Sequence, residues 1–406
     1  MSEAELATKR PFRILSLDGG GIRGVISARI LQEVEKEIRE QCNGQSLTEY
    51  FDMIAGTSTG SLIAAAIAVG YSPSTLVDIY QNEGTKIFPY QKLLDPRRWK
   101  LLLQNGPSAP KFSNEGLIGV IQGLDKFKKG GEYIKLKDVG RDSPEQAVPN
   151  PILVIPAFDT KYRNTTVFTN YRPSDKKKWY LEQPLWKICL SSASAPTFFP
   201  PCEFTNTEAN GEEWSFPHVD GGVTANNPAL CAISRAIELG QKLENIQLLS
   251  IGTGQNKKPM EFNEIKGWGL VQWGLHISDV FMEGQAEVQG NICLNLLGGE
   301  KSNRYLRLQF DLNKAFGEAP NYLARAPILP PAERVNTWLK KHLSEAMDDA
   351  RKDSVEALLK ATNGYLESGN VYDTRFQHYG PVKENIKQFV LGSIEDRACC
   401  NKKAPD

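Results

Sequence analysis

Along the chain, short runs of β-branched and large apolar residues alternate with stretches of helical period. Phe12–Leu17 (FRILSL) is a β-rich run broken by Asp18-Gly-Gly-Gly. Residues 25–38 then place Val25, Ile26, Ile30, Leu31 and Val34 on one face. The pattern predicts strand, glycine turn, helix. It returns at residues 51–55 (FDMIA), a turn around Ser58, and residues 61–69 (SLIAAAIAV). This last run is apolar almost all round, which predicts a buried helix, and it is too short to span a bilayer. Residues 152–157 (ILVIPA) and Ile246–Ile251 (IQLLSI) are continuous apolar runs of strand length, with Gly252-Thr-Gly254 closing the second. Strands covered on both faces imply an α/β sandwich. From Pro330 the chain turns charged and helical, with Gly364 as the expected stop, and after about residue 370 it reads as a polar tail. With no internal repeat or low-complexity linker, one large domain is expected over 10–370, its motif-bearing core at about 12–235, with a tail at 371–406.

Composition narrows the classes of partner. The 406 residues suffice for a substantial core, and 48 Lys and Arg offset 48 Asp and Glu, so no global field points to nucleic acid. The first residues, MSEAELATKR, carry no apolar h-region, and a cytoplasmic location is expected. Seven cysteines show no C-x-x-C and no metal-ligand spacing with His, which points to reduced thiols; the adjacent Cys399 and Cys400 read as free surface thiols, with acylation of the pair as the lesser alternative. Residues 93–103 (LLDPRRWKLLL) combine Arg97, Arg98, Lys100 and Trp99 with leucines. That composition suits either a core helix with solvated basic residues or a peripheral contact with a lipid surface.

The candidate chemistry begins at Gly56-Thr-Ser-Thr-Gly60, a G-x-S-x-G between a predicted strand and a predicted helix. This setting presents a serine nucleophile at the top of a sheet; the competing reading of Ser58 is a helix N-cap. Gly19-Gly20-Gly21-Ile22-Arg23-Gly24 formally matches a dinucleotide fingerprint. No convincing second strand ending in an acidic residue follows about twenty residues on, and no P-loop lysine is present. A glycine loop before a helix remains a site for negative charge, which in acyl transfer is the tetrahedral oxyanion.

Ser58 needs a base, and the chain has only four histidines. His218-Val-Asp220-Gly221-Gly222 places a carboxylate at an expected strand end. A buried carboxylate of raised pKa takes a serine proton directly, so a Ser58-Asp220 dyad is the favoured arrangement over an Asx-turn. His218 lies two residues back along the strand, about 7 Å from that end. It is the alternative base, while His276, His342 and His378 fall in or near helical or tail segments.

Taken together, Gly19 to Gly24, Gly56 to Gly60 and Asp220 to Gly222 resemble the motifs of the patatin-like phospholipase family. Ser191 to Pro201 (SSASAPTFFPP), Val223 to Pro228 (VTANNP) and Met347 to Ala350 (MDDA, likened to a C-terminal helix) extend the likeness. The resemblance implies a three-layer α/β/α sandwich with a mostly parallel central sheet. It also implies a serine esterase that cleaves fatty-acyl esters of membrane lipids, phospholipids and also galactolipids, without metal, nucleotide or other cofactor. By position, Ser58 matches the nucleophile and Asp220 the base. Gly19, Gly20 and Gly21 match the oxyanion loop, and Arg23 with Gly24 matches its support, with Arg23 steadying the loop or a nearby phosphate. Residues 85–135 match no motif and are expected to shape the acyl groove. The alternatives are a non-catalytic storage or scaffold protein of the same fold and a nucleotide-binding module.

Overall fold

The apolar run at Phe12–Leu17 (β1) is fully buried beyond its first residue, as a strand covered on both faces must be. A computed structural model of the chain describes residues 10–90, 92, 95–106, 108–141, 148–171, 178–207, 213–256, 260–299, 302–312, 343–372 and 378–392. Cys399, Cys400, His342, Leu93, Leu94 and the start of the helical stretch expected from Pro330 lie outside the described residues. The remaining strands of the main sheet are Met53–Gly56 (β2), Ile152–Asp159 (β3), Asn164–Thr169 (β4), Cys202–Thr207 (β5), Glu213–Asp220 (β6), Ile246–Ile251 (β7) and Tyr305–Leu308 (β8). The sheet order is β8-β7-β1-β2-β3-β6-β5, with β4 also pairing β3. The pairings from β8 to β3 are parallel, and β4, β6 and β5 join antiparallel.

Successive side chains of a strand point to opposite faces. Leu15, Leu17 and Ile54 therefore join one apolar core while Ile14, Met53 and Ala55 join another. The first core is covered by Gly24–Gln41 (α1), Thr59–Ala68 (α2), Pro73–Ile87 (α3) and Leu185–Ser192 (α4). Against the second pack Ala229–Glu238 (α5) and the C-terminal end of Leu270–Leu296 (α6). The result is a three-layer α/β/α sandwich with a mostly parallel centre. As its composition predicts, α2 is buried nearly all round.

Three expectations need correction near the C-terminus. Lys352–Ser368 (α7) runs through Gly364 and stops before Gly369. A helical glycine costs about 1 kcal/mol relative to alanine, and the buried face of Leu358, Ala361, Thr362, Tyr365 and Leu366 outweighs it. The segment Met347 to Ala350 is a turn before α7, not part of a helix. The polar tail expected after 370 is partly folded: Asn370–Tyr372 pairs with His378–Pro381, and Val382–Leu391 (α8) follows. Helical spacing brings Val382, Ile386, Phe389 and Val390 to one buried face of α8. Side-chain bonds to its carbonyls, from Tyr50 Oη to Val390 (3.2 Å) and from Gln247 Nε2 to Phe389 (3.0 Å), fasten α8 to the domain.

The basic cluster at 97–100 is also not a freely solvated patch. Arg98 is buried and donates to the carbonyls of Ala109 and Pro110, Arg97 is bonded to Asp95, and Lys100 lies 3.9 Å from Glu115. The short helix Trp99–Asn105 buries none of its own residues and leaves Trp99 and Leu103 exposed.

Candidate active site

The sheet register brings the motifs together. Leu17 of β1 faces Gly56 of β2, so the glycine turn after β1 and the serine turn after β2 leave the sheet side by side. Strand β1 sits between β2 and β7, and such a switch point opens a crevice beyond the carboxyl ends of parallel strands. Ala55 faces Val154, and three residues further along β3, past the end of β2 where Ser58 follows, Ala157 faces Asp220 across the β3–β6 pair. Three segments far apart in sequence thus meet at one level.

Ser58 adopts φ 53° and ψ −124°, a strained backbone for a residue with a side chain. This is the sharp strand-to-helix turn that G-x-S-x-G predicts. The turn requires glycines at both ends: a Cβ on Gly56 would stand 2.1 Å from the Gly60 carbonyl oxygen, and one on Gly60 would stand 2.2 Å from that of Leu17. Although Ser58 occupies the N-cap position of α2, its side chain makes no capping bond. The N-cap reading therefore does not account for the hydroxyl. Ser58 is 7% exposed, at the edge of a cavity of about 460 Å³.

Asp220, 3% exposed, opens onto the same cavity. Its Oδ1 accepts the Gly222 amide at 2.7 Å, and Oδ2 has no hydrogen-bond partner of its own. Burial pushes the carboxyl up to about 6, and the nearby Ser58 hydroxyl and the Gly222 amide hold it back from rising further. A buried carboxylate pushed up to about 6, whose second oxygen has no partner besides the Ser58 hydroxyl, is equipped to accept a proton from it.

His218 is placed elsewhere. Its ring is buried against Phe168, Phe204 and Trp179, with Nδ1 2.9 Å from the Phe216 carbonyl and Nε2 2.9 Å from Thr166 Oγ1. The carbonyl can only accept, so Nδ1 donates and Nε2 of the neutral ring accepts from the threonine hydroxyl. Both nitrogens are spent, and burial lowers the imidazole pKa. His276 falls on α6 and His378 begins the strand His378–Pro381.

The three candidate oxyanion glycines divide. Gly19 donates its amide to the Asn226 carbonyl at 3.1 Å, which takes it out of the set of open donors. Gly20 and Gly21 line the cavity, and their amides have no partner among the described residues. Gly21 has φ 58° and a Cβ there would stand 2.1 Å from the Met347 carbonyl oxygen, so only glycine fits. Arg23 is buried, is not among the cavity-lining residues, and donates through Nη1 to the Glu345 carbonyl at 3.3 Å. A Cβ on Gly24 would meet the Thr59 and Tyr80 hydroxyls, which are bonded to each other; one on Gly221 would stand 2.2 Å from the Pro156 carbonyl oxygen.

Two supports had no role assigned from the sequence, although Ser192 lies in the Ser191 to Pro201 stretch that extends the family likeness. Ser192 Oγ accepts the Ser58 amide at 3.0 Å and donates to the Pro156 carbonyl at 2.7 Å. The carbonyls of Ser192 and Ser194 accept the amides of Gly221 and Asp220. The SSASAP stretch therefore holds the serine turn and the aspartate strand in one network, and its run of small residues before a proline was the available signal. Asp18, the buried first residue of the glycine turn, forms a two-pronged ion pair with partly buried Arg307 (2.9 and 2.6 Å). Nothing in the sequence links β8 to β1, so that pair was not legible.

The cavity wall is apolar. Leu62, Ile87, Phe88, Leu117, Phe198 and Phe199 line it, and Val223 and Phe281 are both lining and exposed. Residues 85–135, expected to shape a groove, thus contribute Ile87, Phe88 and Leu117. Burial pushes the thiols of Cys202 and Cys293 up to about 12 and that of Cys231 to about 11, too high for nucleophilic use. Among the described residues no group of three His, Cys, Asp or Glu is placed to hold a metal ion, and no helix is long and apolar enough to cross a membrane.

Comparison with known proteins agrees with these motifs. The family model for patatin-like phospholipase matches residues 15–233. The chain is 32% identical to Patatin-like protein 1 of Arabidopsis thaliana, over 73% of this chain and 74% of that protein. It is 29% identical to Patatin-like protein 3 of the same plant, over 97% and 91%. It is also 31% identical to a protein of Solanum tuberosum named probable inactive patatin-3-Kuras 1, over 64% and 68%.

Proposed function

The chain belongs to the patatin-like phospholipase family, and from that premise we propose that it is a serine lipid acyl hydrolase working through a Ser58-Asp220 dyad. Asp220 Oδ2 accepts the Ser58 hydroxyl proton as Oγ bonds to the ester carbonyl carbon. The resulting oxyanion is held by the amides of Gly20 and Gly21, with the Thr59 amide at the start of α2 as a further donor. Collapse of this intermediate breaks the ester C–O bond, and protonated Asp220 returns its proton to the departing alcohol. Water then adds to the acyl-serine as Asp220 takes its proton. The second collapse releases the fatty acid and restores the Ser58 hydroxyl.

The observation that carries this reading is the meeting of a serine that makes no capping bond, on a strained turn, with a buried carboxylate of raised pKa, in one apolar cavity. The apolar wall suits the acyl chain of a phospholipid or galactolipid. Exposed Val223 and Phe281 at the cavity edge suit peripheral contact with the lipid surface that supplies it. No metal or cofactor enters the scheme. In the alternative reading, favoured by the named inactivity of one relative, the chain is a storage or scaffold protein of the same fold. Hydrolysis of a phospholipid and a galactolipid by wild type and Ser58→Ala separates the two. The enzyme reading requires fatty-acid release that disappears in the variant; equal release, or none from either protein, overturns it.

A further inference from the structure

The glycine turn is held in place by a segment beyond the residues that the family model matches. Ile22 donates its amide to the Met347 carbonyl at 2.7 Å, Arg23 reaches the Glu345 carbonyl, and the Met347 oxygen occupies the space a Cβ on Gly21 would need. Asp348, the next residue, is buried and forms an ion pair with Lys111. The backbone around Lys111 belongs to the acyl wall: its amide donates to the Thr197 carbonyl and the Phe112 amide to the Phe198 carbonyl, both at 2.8 Å, and Thr197 and Phe198 line the cavity. One charged pair therefore links the wall of the cavity to the carbonyl against which the turn is seated.

We propose that the Lys111–Asp348 pair is a positioning device for the oxyanion-binding turn, fixing Met347 so that the Gly20 and Gly21 amides point at the reacting carbonyl. The inference rests on the reading of those amides as oxyanion donors. The pair is part-buried, and such an ion pair adds little net stability, since desolvation offsets attraction, but it fixes geometry. The geometry of oxyanion donors matters: one donor is worth about 10²- to 10³-fold in turnover, and a displacement of about 1 Å costs about 10²-fold.

The test uses the full chain and a soluble short-chain ester, well below the Tm of every variant. Asp348→Asn and Lys111→Met are expected to lower kcat about 10- to 100-fold with KM nearly unchanged, because the loss falls on the transition state. Lys111→Arg, which keeps the charge, should stay near wild type. Leu358→Ala loosens the core side of α7 without touching the pair; it should lower Tm and leave kcat unchanged, whereas a merely structural role for the pair would make Asp348→Asn and Lys111→Met behave in the same way. Wild-type kcat in folded Asp348→Asn and Lys111→Met overturns the proposal. So does a loss of kcat in Leu358→Ala equal to theirs. Absence of Ser58-dependent turnover in the wild type overturns the hydrolase reading and this inference with it, a result separate from wild-type activity that survives loss of the pair.

Discussion

Replacing Asp220 with asparagine separates the role proposed for this carboxylate from its structural cost. Burial pushes the Asp220 carboxyl from 3.8 to about 6 in the folded protein. Between those values the folded state holds a proton that the unfolded chain has lost, so stability falls as pH rises through this window and stays lower above it. At about 1.4 kcal/mol per pH unit, the full cost is about 3 kcal/mol above pH 6. Asparagine keeps an acceptor for the Gly222 amide and carries no charge. Asp220→Asn should therefore be more stable than wild type near neutral pH by up to about 3 kcal/mol, or about 3–4 °C in Tm for a chain of this length. The gain should close as pH falls toward the unfolded value of 3.8. The same variant should lose about 10²- to 10⁴-fold in turnover of a soluble ester. Thermal unfolding at several pH values, beside initial rates, reads both effects. A variant less stable than wild type near neutrality, or a gain that widens on acidification, would refute the assignment of Asp220 as an undercompensated buried carboxylate.

Other consequences follow from neighbouring residues. His218→Gln should keep most of the wild-type kcat, because both ring nitrogens are spent away from Ser58; a loss comparable to that of Asp220→Asn would restore a histidine mechanism. Leu117→Trp, which fills part of the apolar wall, should shift preference toward shorter acyl chains, each lost methylene contact being worth about 0.8 kcal/mol or about fourfold in kcat/KM; an unchanged chain-length profile places the acyl chain elsewhere. Because Arg98 is buried, the lipid-contact reading of residues 93–103 is tested at its exposed apolar positions instead. Trp99→Ser/Leu103→Ser should reduce sedimentation with anionic liposomes without altering hydrolysis of a soluble ester, and equal sedimentation removes this segment from the lipid contact.

The alternation of apolar runs with helical spacing made β1, α1, α2 and β7 legible, because each is a local pattern of period 2, period 3.6 or continuous burial. The placement of Ser58 and Asp220 in one cavity was legible for a related reason: each sits at or just past a strand end beside glycines whose absent side chains the turns require. The supports were harder to read. The Asp18–Arg307 and Lys111–Asp348 pairs join positions 289 and 237 residues apart, and only the sheet order and the packing of the C-terminal segment bring them together. The Gly19 amide also resembled its neighbours in sequence, and its bond to Asn226 is a tertiary fact. Gly364 and the 382–391 segment show packing overriding a local signal in one case and a missed helical period in the other.

The most direct test of the dyad is the site and pH dependence of fluorophosphonate labelling, read by mass spectrometry of peptides from wild type, Ser58→Ala and Asp220→Asn. The reagent should modify Ser58 alone in the wild type, at a rate that rises through pH about 6 as Asp220 loses its proton. It should leave Ser58→Ala unmodified, and Asp220→Asn should react slowly with no rise across that range. An adduct on another residue, or labelling of Ser58 whose pH dependence survives Asp220→Asn, would contradict the Ser58-Asp220 mechanism.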